Sequence, residues 1–164
     1  VALNTWQQHR ISRLVVEKLF GTVTGKRLAV LGFAFKADTN DTREAPAIRI
    51  CRDLLEEGAQ LAIHDPKVSS TQIARDLQIE ASPQTDALSG TGNWAMADTI
   101  EQAVVGADAV LILTEWTHYR SLNWQALGDL MRRPAWVFDA RAVADPQQVK
   151  ASGLNLWRVG DGEG

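Results

Sequence analysis

The sequence predicts an α/β fold: a doubly wound parallel sheet with helices on both faces, preceded by the end of a long helix. Short apolar runs of strand length alternate with segments whose apolar residues recur at helical spacing. Glycine, proline or aspartate separates most of these segments, as expected where strands and helices end. The 164 residues are enough for one such domain with a buried core.

The first predicted element is a helix whose pattern of apolar residues is already under way where the chain begins. Apolar residues at helical spacing run from Trp6 to Leu19, with no capping residue before them. The chain also begins at Val1 rather than at Met. We therefore expect a fragment whose first residues are the end of a longer helix.

The next elements form the first β-α-β unit and a weaker helix. Residues 26–31 predict a buried strand, and a loop follows to Glu44. Pro46 suits the first position of a helix that Gly58 ends. Residues 60–64 predict the second strand, which Asp65 and Pro66 stop. Residues 69–77 are weakly helical, and the polar residues 82–93 predict an exposed loop.

The alternation resumes near Asp98, with Asp98 or Thr99 as the cap of a helix that runs to Val105 and stops at Gly106. The further predicted elements are a strand at 109–113, a helix at 124–131, a strand at 135–138, a helix at 146–151 and a strand at 154–159. Strands that alternate with helices in this way predict a parallel sheet.

Composition excludes several classes of protein. The formal net charge is −3 with no basic cluster, which argues against nucleic-acid binding. No apolar run approaches the roughly 20 residues of a membrane-spanning helix. The only cysteine, Cys51, allows no internal disulfide, and no signal sequence is visible, so we expect a cytoplasmic location.

In parallel sheets of this kind, ligands bind at the carboxyl ends of the strands, near the point where the strand order reverses. The loop after the first strand places Phe35 and Lys36 there. Lys36 could give a point charge to a phosphate, and Phe35 could cover a ring. The loop has only Gly32 of the three glycines of a dinucleotide-binding turn. The alternative is a solvated loop in which Asp41 and Thr42 cap the following helix.

Two other strand ends carry candidate residues. Arg141, close after residues 135–138, could bind a phosphate or a sugar hydroxyl, whereas Asp139 and Arg141 could instead pair with neighbouring loops. Trp116 follows the strand at 109–113. It could contact a base, but we favour burial against the sheet edge.

No residue pattern indicates a catalytic or metal site. Cys51 lies within a predicted helix and is interpreted as a core residue. The three histidines, His9, His64 and His118, lack metal-ligand spacing, and His64 with Asp65 is interpreted as packing and turn chemistry. We therefore assign no catalytic residue and no metal ligand to this chain.

Several motifs together resemble the C-terminal domain of UDP-glucose 6-dehydrogenases, within the UDP-glucose/GDP-mannose dehydrogenase family. They are residues 32–44 (GFAFKADTNDTRE), 57–59 (EGA), 64–68 (HDPKV), 106–109 (GADA), 114–116 (TEW) and 138–141 (FDAR). The resemblance covers about Asn4 to Gly160. It implies a Rossmann-like fold, with residues 1–22 as the end of a central interdomain and dimerisation helix and residues 23–164 as the UDP-sugar-binding domain.

The resemblance also implies a reaction for the whole enzyme. Such enzymes oxidise the C6 alcohol of UDP-glucose twice, to UDP-glucuronate, with two NAD+ and a thiohemiacetal on a catalytic cysteine. Cys51 does not match that cysteine, so the resemblance implies that this fragment is inactive alone. NAD is expected to bind mainly to an N-terminal domain outside this chain.

The shared motifs also indicate which residues of this chain match the family's site residues. By resemblance, Phe35, Lys36 and Arg141 match substrate-binding positions, and Arg43 matches a position that contacts NAD. The sequence departs from many relatives at Ala45 (often serine) and Ala142 (a second arginine in some).

The expected partners are UDP-glucose or UDP-glucuronate and the N-terminal and central domains of a homo-oligomeric enzyme, with no nucleic acid and no membrane. Two alternatives remain open. One is the same domain of a GDP-mannose or UDP-N-acetylmannosamine dehydrogenase. The other is a non-catalytic nucleotide-binding or assembly module.

Overall fold

The structure is a computed structural model that describes residues 5–81 and 92–160, with side chains described from His9 onward. Within these ranges the helices are α1 (Thr5–Lys18), α2 (Pro46–Glu56), α3 (Ser70–Leu77), α4 (Ile100–Val104), α5 (Trp124–Leu130) and α6 (Pro146–Ala151). The strands are β1 (Arg27–Leu31), β2 (Gln60–His64), β3 (Asn93–Met96), β4 (Ala109–Ile112), β5 (Trp136–Asp139) and β6 (Asn155–Arg158). A 3₁₀ helix spans Thr117–Ser121.

The strands form a single parallel sheet in the order β3-β2-β1-β4-β5-β6. Leu31 at the end of β1 pairs with both His64 of β2 and Ile112 of β4, and Ile112 pairs with Asp139 of β5. The carboxyl ends of these four strands are therefore level. The loops that follow them share one edge of the sheet, and the strand order reverses between β1 and β4.

The helices cover both faces of this sheet. The chain steps from β1 to β2 to β3 in one direction and from β4 to β5 to β6 in the other. Because parallel crossovers are right-handed, α2 and α3 lie on one face, and α4, α5 and α6 lie on the other. Helix α1 packs against α2 and extends the first layer. The predicted fold class is confirmed.

The core lies between the sheet and these layers. Strands β1, β2 and β4 are almost entirely buried, as expected for central parallel strands. Ile11 and Val15 on α1, and Leu19 directly after it, are buried against the same core, so the first helix is part of the domain's packing.

Most element boundaries match the predicted ones within two residues. Strand 60–64 and helix 146–151 have the predicted bounds, and Thr99 rather than Asp98 caps α4 through the amide of Gln102. Residues 82–91 of the loop predicted at 82–93 lie outside the described residues. At its end the prediction is wrong, because Asn93 begins β3.

Candidate functional site

The loops after β1 and β4 touch where the strand order reverses. Gly32 has a φ of 98°. A Cβ at that position would lie 2.4 Å from the Thr114 Cβ, so the two carbon atoms would overlap. The Thr114 hydroxyl donates a hydrogen bond of 2.8 Å to the carbonyl of Ala34. Gly32 is therefore needed for close approach of two backbone segments, which fix the start of the loop that carries Phe35 and Lys36.

The carboxylate of Asp65, at the end of β2, holds three strand-end loops together. Asp65 is 5% exposed and accepts hydrogen bonds from N–H groups of its own turn and of the loops after β1 and β4. The donors are the amides of Phe33 (2.8 Å), Ala34 (3.0 Å), Lys67 (2.8 Å) and Val68 (3.1 Å) and the indole of Trp116 (3.2 Å). Sequence reasoning identified the turn but not these long-range contacts.

Phe35 and Lys36 follow directly on this anchored segment. The amide of Phe35 donates to the carbonyl of Asp41 at 2.8 Å, which closes the loop on itself. Phe35 is half-buried and Lys36 is exposed. Beside them, a cavity of about 400 Å³ is lined by Asp38, Thr39, Asn40 and Lys67. The loop after β1 therefore carries an exposed lysine directly after a half-buried aromatic residue, and other residues of the same loop line an open cleft.

Arg43 lies at the other end of the same loop. Its side chain is 88% exposed and forms a two-point contact with Asp41, from Nε to Oδ1 at 3.0 Å and from Nη2 to Oδ2 at 2.9 Å. These hydrogen bonds from Arg43 lower the pKa of Asp41 to about 2. The cap of α2 is Ala45, without a side-chain hydrogen bond, so the interpretation of Asp41 and Thr42 as helix caps is wrong.

Arg141 is held by groups from two strand ends. Its amide donates to Asp139 Oδ1 at 3.1 Å, and its Nη2 lies 2.7 Å from Glu115 Oε1. Asp139 is fully buried and also accepts from the amide of Ala144 at 2.7 Å. The pairing with a neighbouring loop, given above as the alternative to ligand binding, thus occurs, and the ion pair of Arg141 is with the loop after β4 rather than with the loop after β1.

The remaining candidate residues have structural roles. Trp116 is buried, as we favoured. Cys51 is buried, and burial raises the pKa of its thiol, so it is a poor nucleophile. His64 Nδ1 lies 2.9 Å from the Tyr119 hydroxyl, and burial lowers the pKa of His64. Among the described residues, no group of three His, Cys, Asp or Glu could hold a metal ion.

The loop after β1 lacks the free backbone amides of a complete dinucleotide site. In the usual arrangement, backbone amides between the first strand and its helix bind the pyrophosphate. Here the carboxylate of Asp65 occupies the amides of Phe33 and Ala34, and α2 begins at Pro46, which has no N–H. The guanidinium of Arg43 is exposed, and its contact with Asp41 uses Nε and Nη2.

A larger groove lies elsewhere, between α1 and α2, with a volume of about 600 Å³. It includes His9 and Ser12, which both contact Asp53 Oδ2, at 2.7 and 2.8 Å. Because serine and histidine both bond to the carboxylate rather than to each other, they do not form the chain of contacts of an activated nucleophile. No helix in the described residues has the length and apolarity needed to cross a membrane.

Comparison with known proteins confirms the resemblance. Residues 29–146 match the model of the UDP-glucose/GDP-mannose dehydrogenase family, UDP binding domain. The UDP-glucose 6-dehydrogenases 2 and 5 of Oryza sativa subsp. japonica are 40% and 39% identical to this chain over 98% of its length. The chain spans 35% of the length of each of these relatives.

Solved structures support the fold. An NDP-N-acetyl-D-galactosaminuronic acid dehydrogenase from Methanosarcina mazei matches 93% of this chain and 28% of its own, with a TM-score of 0.70 and 23% identity. A UDP-glucose dehydrogenase from Pyrobaculum islandicum matches 93% and 29%, with a TM-score of 0.65 and 23% identity. The chain belongs to the UDP-glucose/GDP-mannose dehydrogenase family and contains its UDP-binding domain.

Proposed function

We propose that this chain is the nucleotide-sugar-binding part of an NAD-dependent UDP-glucose 6-dehydrogenase that converts UDP-glucose to UDP-glucuronate. The observation that carries the proposal is the similarity of nearly the whole chain to plant UDP-glucose 6-dehydrogenases, at 36–40% identity. In this proposal residues 1–22 end an interdomain helix, residues 23–164 bind the nucleotide sugar, and the enzyme is a cytoplasmic homo-oligomer.

The chemistry of the strand-end loops is suited to a diphosphate. Lys36 is exposed and directly follows the half-buried Phe35 in sequence, and Arg141 lies on another loop of the same sheet edge. Lys36 would give a point charge and Arg141 a two-point contact to the nucleotide, while Phe35 shapes the pocket. Since Glu115 already pairs with Arg141, the ligand would have to share or displace that contact.

The catalytic steps would take place on residues outside this chain. NAD+, when bound, supplies the hydride acceptor for the two oxidations at C6. Residues of this chain would hold the substrate, and Arg43 would contact the cofactor from the opposite side of the interdomain cleft. Because Cys51 is buried with a raised thiol pKa, it cannot supply the nucleophile, and we expect the chain to be inactive alone.

The first test is a titration of this chain with UDP and with GDP, followed by backbone amide NMR. We expect a dissociation constant on the order of 1 mM, because half of an interdomain site loses many contacts. Amide shifts should concentrate at Phe35, Lys36 and Arg141 and should be larger with UDP than with GDP. Lys36→Ala or Arg141→Ala should weaken binding roughly tenfold.

The control is Arg132→Ala, since Arg132 is an exposed arginine that pairs with Asp108, before the start of β4 at the opposite sheet edge. Its affinity for UDP should be unchanged. Equal or larger shifts with GDP would favour the GDP-mannose branch of the family. Binding of neither nucleotide at these loops, together with no oxidation of UDP-glucose by the full-length protein, would exclude the proposed function.

A further inference from the structure

The segment that carries Arg43 is a tight turn with a buried base and an exposed tip. The amide of Ala45 donates to the carbonyl of Thr42 at 2.9 Å, so that Arg43 and Glu44 are the two central residues. Glu44 has a φ of 57°, in the left-handed region, as the third residue of some tight turns requires. Thr42 and Ala45 are buried, whereas Arg43 and Glu44 are exposed. The direction of Arg43 therefore depends on how the base of the turn is held, as well as on the contact of its guanidinium with Asp41.

Helix α3 holds that base through polar side chains. The hydroxyl of Thr42 donates to Asp76 Oδ2 at 2.6 Å and accepts from Gln72 Nε2 at 3.1 Å. Gln72 Nε2 also lies 2.8 Å from the carbonyl of Asn40, which accepts a hydrogen bond from it. Two side chains of one helix thus hold the loop just before Arg43, although they lie thirty or more residues away in sequence.

The substrate end of the same loop is held by a different anchor. The amides of Phe33 and Ala34, directly before Phe35 and Lys36, bond to Asp65 at the end of β2. Asp76 and Asp65 lie on separate elements, and each contacts only one end of the loop in the hydrogen bonds described above. The hydrogen bond from the Phe35 amide to the Asp41 carbonyl joins the two ends, but each end has its own anchor outside the loop, so we expect loss of one anchor to disturb its own end more than the other.

We infer that Thr42 and Asp76 are positioning residues for Arg43, so that α3 sets the contact with the dinucleotide separately from the contact with the nucleotide sugar. The inference rests on the proposed function, in which Arg43 meets NAD and Phe35 and Lys36 meet the substrate. Thr42 and Asp76 touch neither ligand and act through the turn. Their loss should therefore affect cofactor affinity more than substrate affinity.

The test uses Thr42→Val, which removes the hydroxyl at nearly constant size, and Asp76→Asn, in the full-length protein that carries this chain. We expect the KM for NAD+ to rise roughly tenfold, because a hydrogen bond to a carboxylate is lost. The KM for UDP-glucose should change less than twofold. Thr42→Ser keeps the hydroxyl and should restore the KM for NAD+.

A second measurement needs no cofactor. In this chain, hydrogen exchange at the Ala45 amide should become at least tenfold faster in Thr42→Val, because the turn opens more often. Exchange at the Phe33 and Ala34 amides should stay unchanged. The control is Ser152→Ala, which removes another nearly buried hydroxyl, at the end of α6, and should alter neither KM.

The outcomes separate this inference from the proposed function. If Arg43→Ala leaves the KM for NAD+ unchanged, the proposed cofactor contact is wrong, and the inference is wrong with it. If Arg43→Ala raises that KM but Thr42→Val and Asp76→Asn do not, only the positioning role is overturned. An equal rise of both KM values, or faster exchange at Phe33 and Ala34 as well, would mean a general structural role and would also overturn it.

Discussion

The loops after β1 and β5 both carry a predicted ligand-binding cation, but the two cations are held differently. Lys36 is exposed on a loop whose backbone is fixed by Asp65 and by the turn at Thr42. Arg141 is fixed through its own guanidinium, which pairs with Glu115. In the first loop the backbone is organised and the charge is free to move, whereas in the second the charge itself is preorganised and partly neutralised.

The largest expected effect on stability comes from replacing Asp65, which anchors the first loop. Asp65→Ala should lower the free energy of unfolding by about 3–5 kcal/mol, because several buried N–H groups lose their acceptor at once. Asp139→Ala, at the second loop, should cost about 2–3 kcal/mol, since fewer amides depend on it. Urea unfolding measures both values.

The control is the exposed Asp129. Asp129→Ala should change the free energy of unfolding by less than about 0.5 kcal/mol. An Asp139→Ala loss equal to or larger than that of Asp65→Ala would mean that the two loops depend equally on their buried aspartates.

The next effect tests the contact between the loops after β1 and β4. Gly32→Ala should destabilise the fold by about 2–4 kcal/mol, because its Cβ would overlap Thr114 in addition to the strain of a positive φ. Gly25→Ala is the matched control, since Gly25 also has a positive φ, 74°, but has open space around it. Its cost should be only about 1 kcal/mol in the same unfolding experiment. Equal costs would show that conformational strain alone explains both.

A smaller effect is expected for the ion pair of the second loop. Glu115→Gln should lower the free energy of unfolding by less than about 1 kcal/mol, because the side chains of Arg141 and Glu115 are 31% and 28% exposed and solvent screens their attraction. Glu80→Gln, at an exposed position, serves as the reference in urea unfolding. A loss above about 2 kcal/mol would place this pair among buried ion pairs and weaken the contrast between the loops.

The smallest expected effect concerns the pKa of a single carboxyl group, that of Asp41. The pKa of Asp41 is lowered from 3.8 to about 2, so its contact with Arg43 contributes fully above pH 3.8 and is lost as the pH falls through about 2. The turn should therefore be insensitive to pH near neutrality. Carboxyl NMR of Asp41 should give a midpoint near 2, and Arg43→Ala should return it toward 3.8. A midpoint near 3.8 in the unmodified chain would contradict the two-point contact.

The element missed by sequence reasoning shows why a short edge strand is hard to predict. Residues Asn93–Met96 contain no β-branched residue, and only Trp94 is fully buried. Their strand conformation comes from pairing with β2, in the register of Gln60 with Asn93. Pairing with a distant strand leaves little trace in such a short segment, whereas central strands such as β2 carry a continuous apolar run.

The candidate site was predictable where its residues are close in sequence. The placement of Phe35, Lys36 and Arg141 at strand ends follows from where the apolar runs stop, and the contact of Asp41 with Arg43 joins residues two positions apart. The roles of Asp65 and Thr42 were not predictable in this way. Asp65 looked like a turn residue and Thr42 like a helix cap, because their decisive partners lie about thirty or more residues away.

The sequence by itself determined the elements other than β3, the fold class and the positions at which loops leave the central strands. It could do so because apolar periodicity and the backbone limits of glycine and proline act over a few residues. Only the tertiary structure decided which strand ends meet, that Gly32 must approach Thr114, and that Glu115 neutralises Arg141. These contacts depend on strand order and register, which bring together side chains that no local pattern relates.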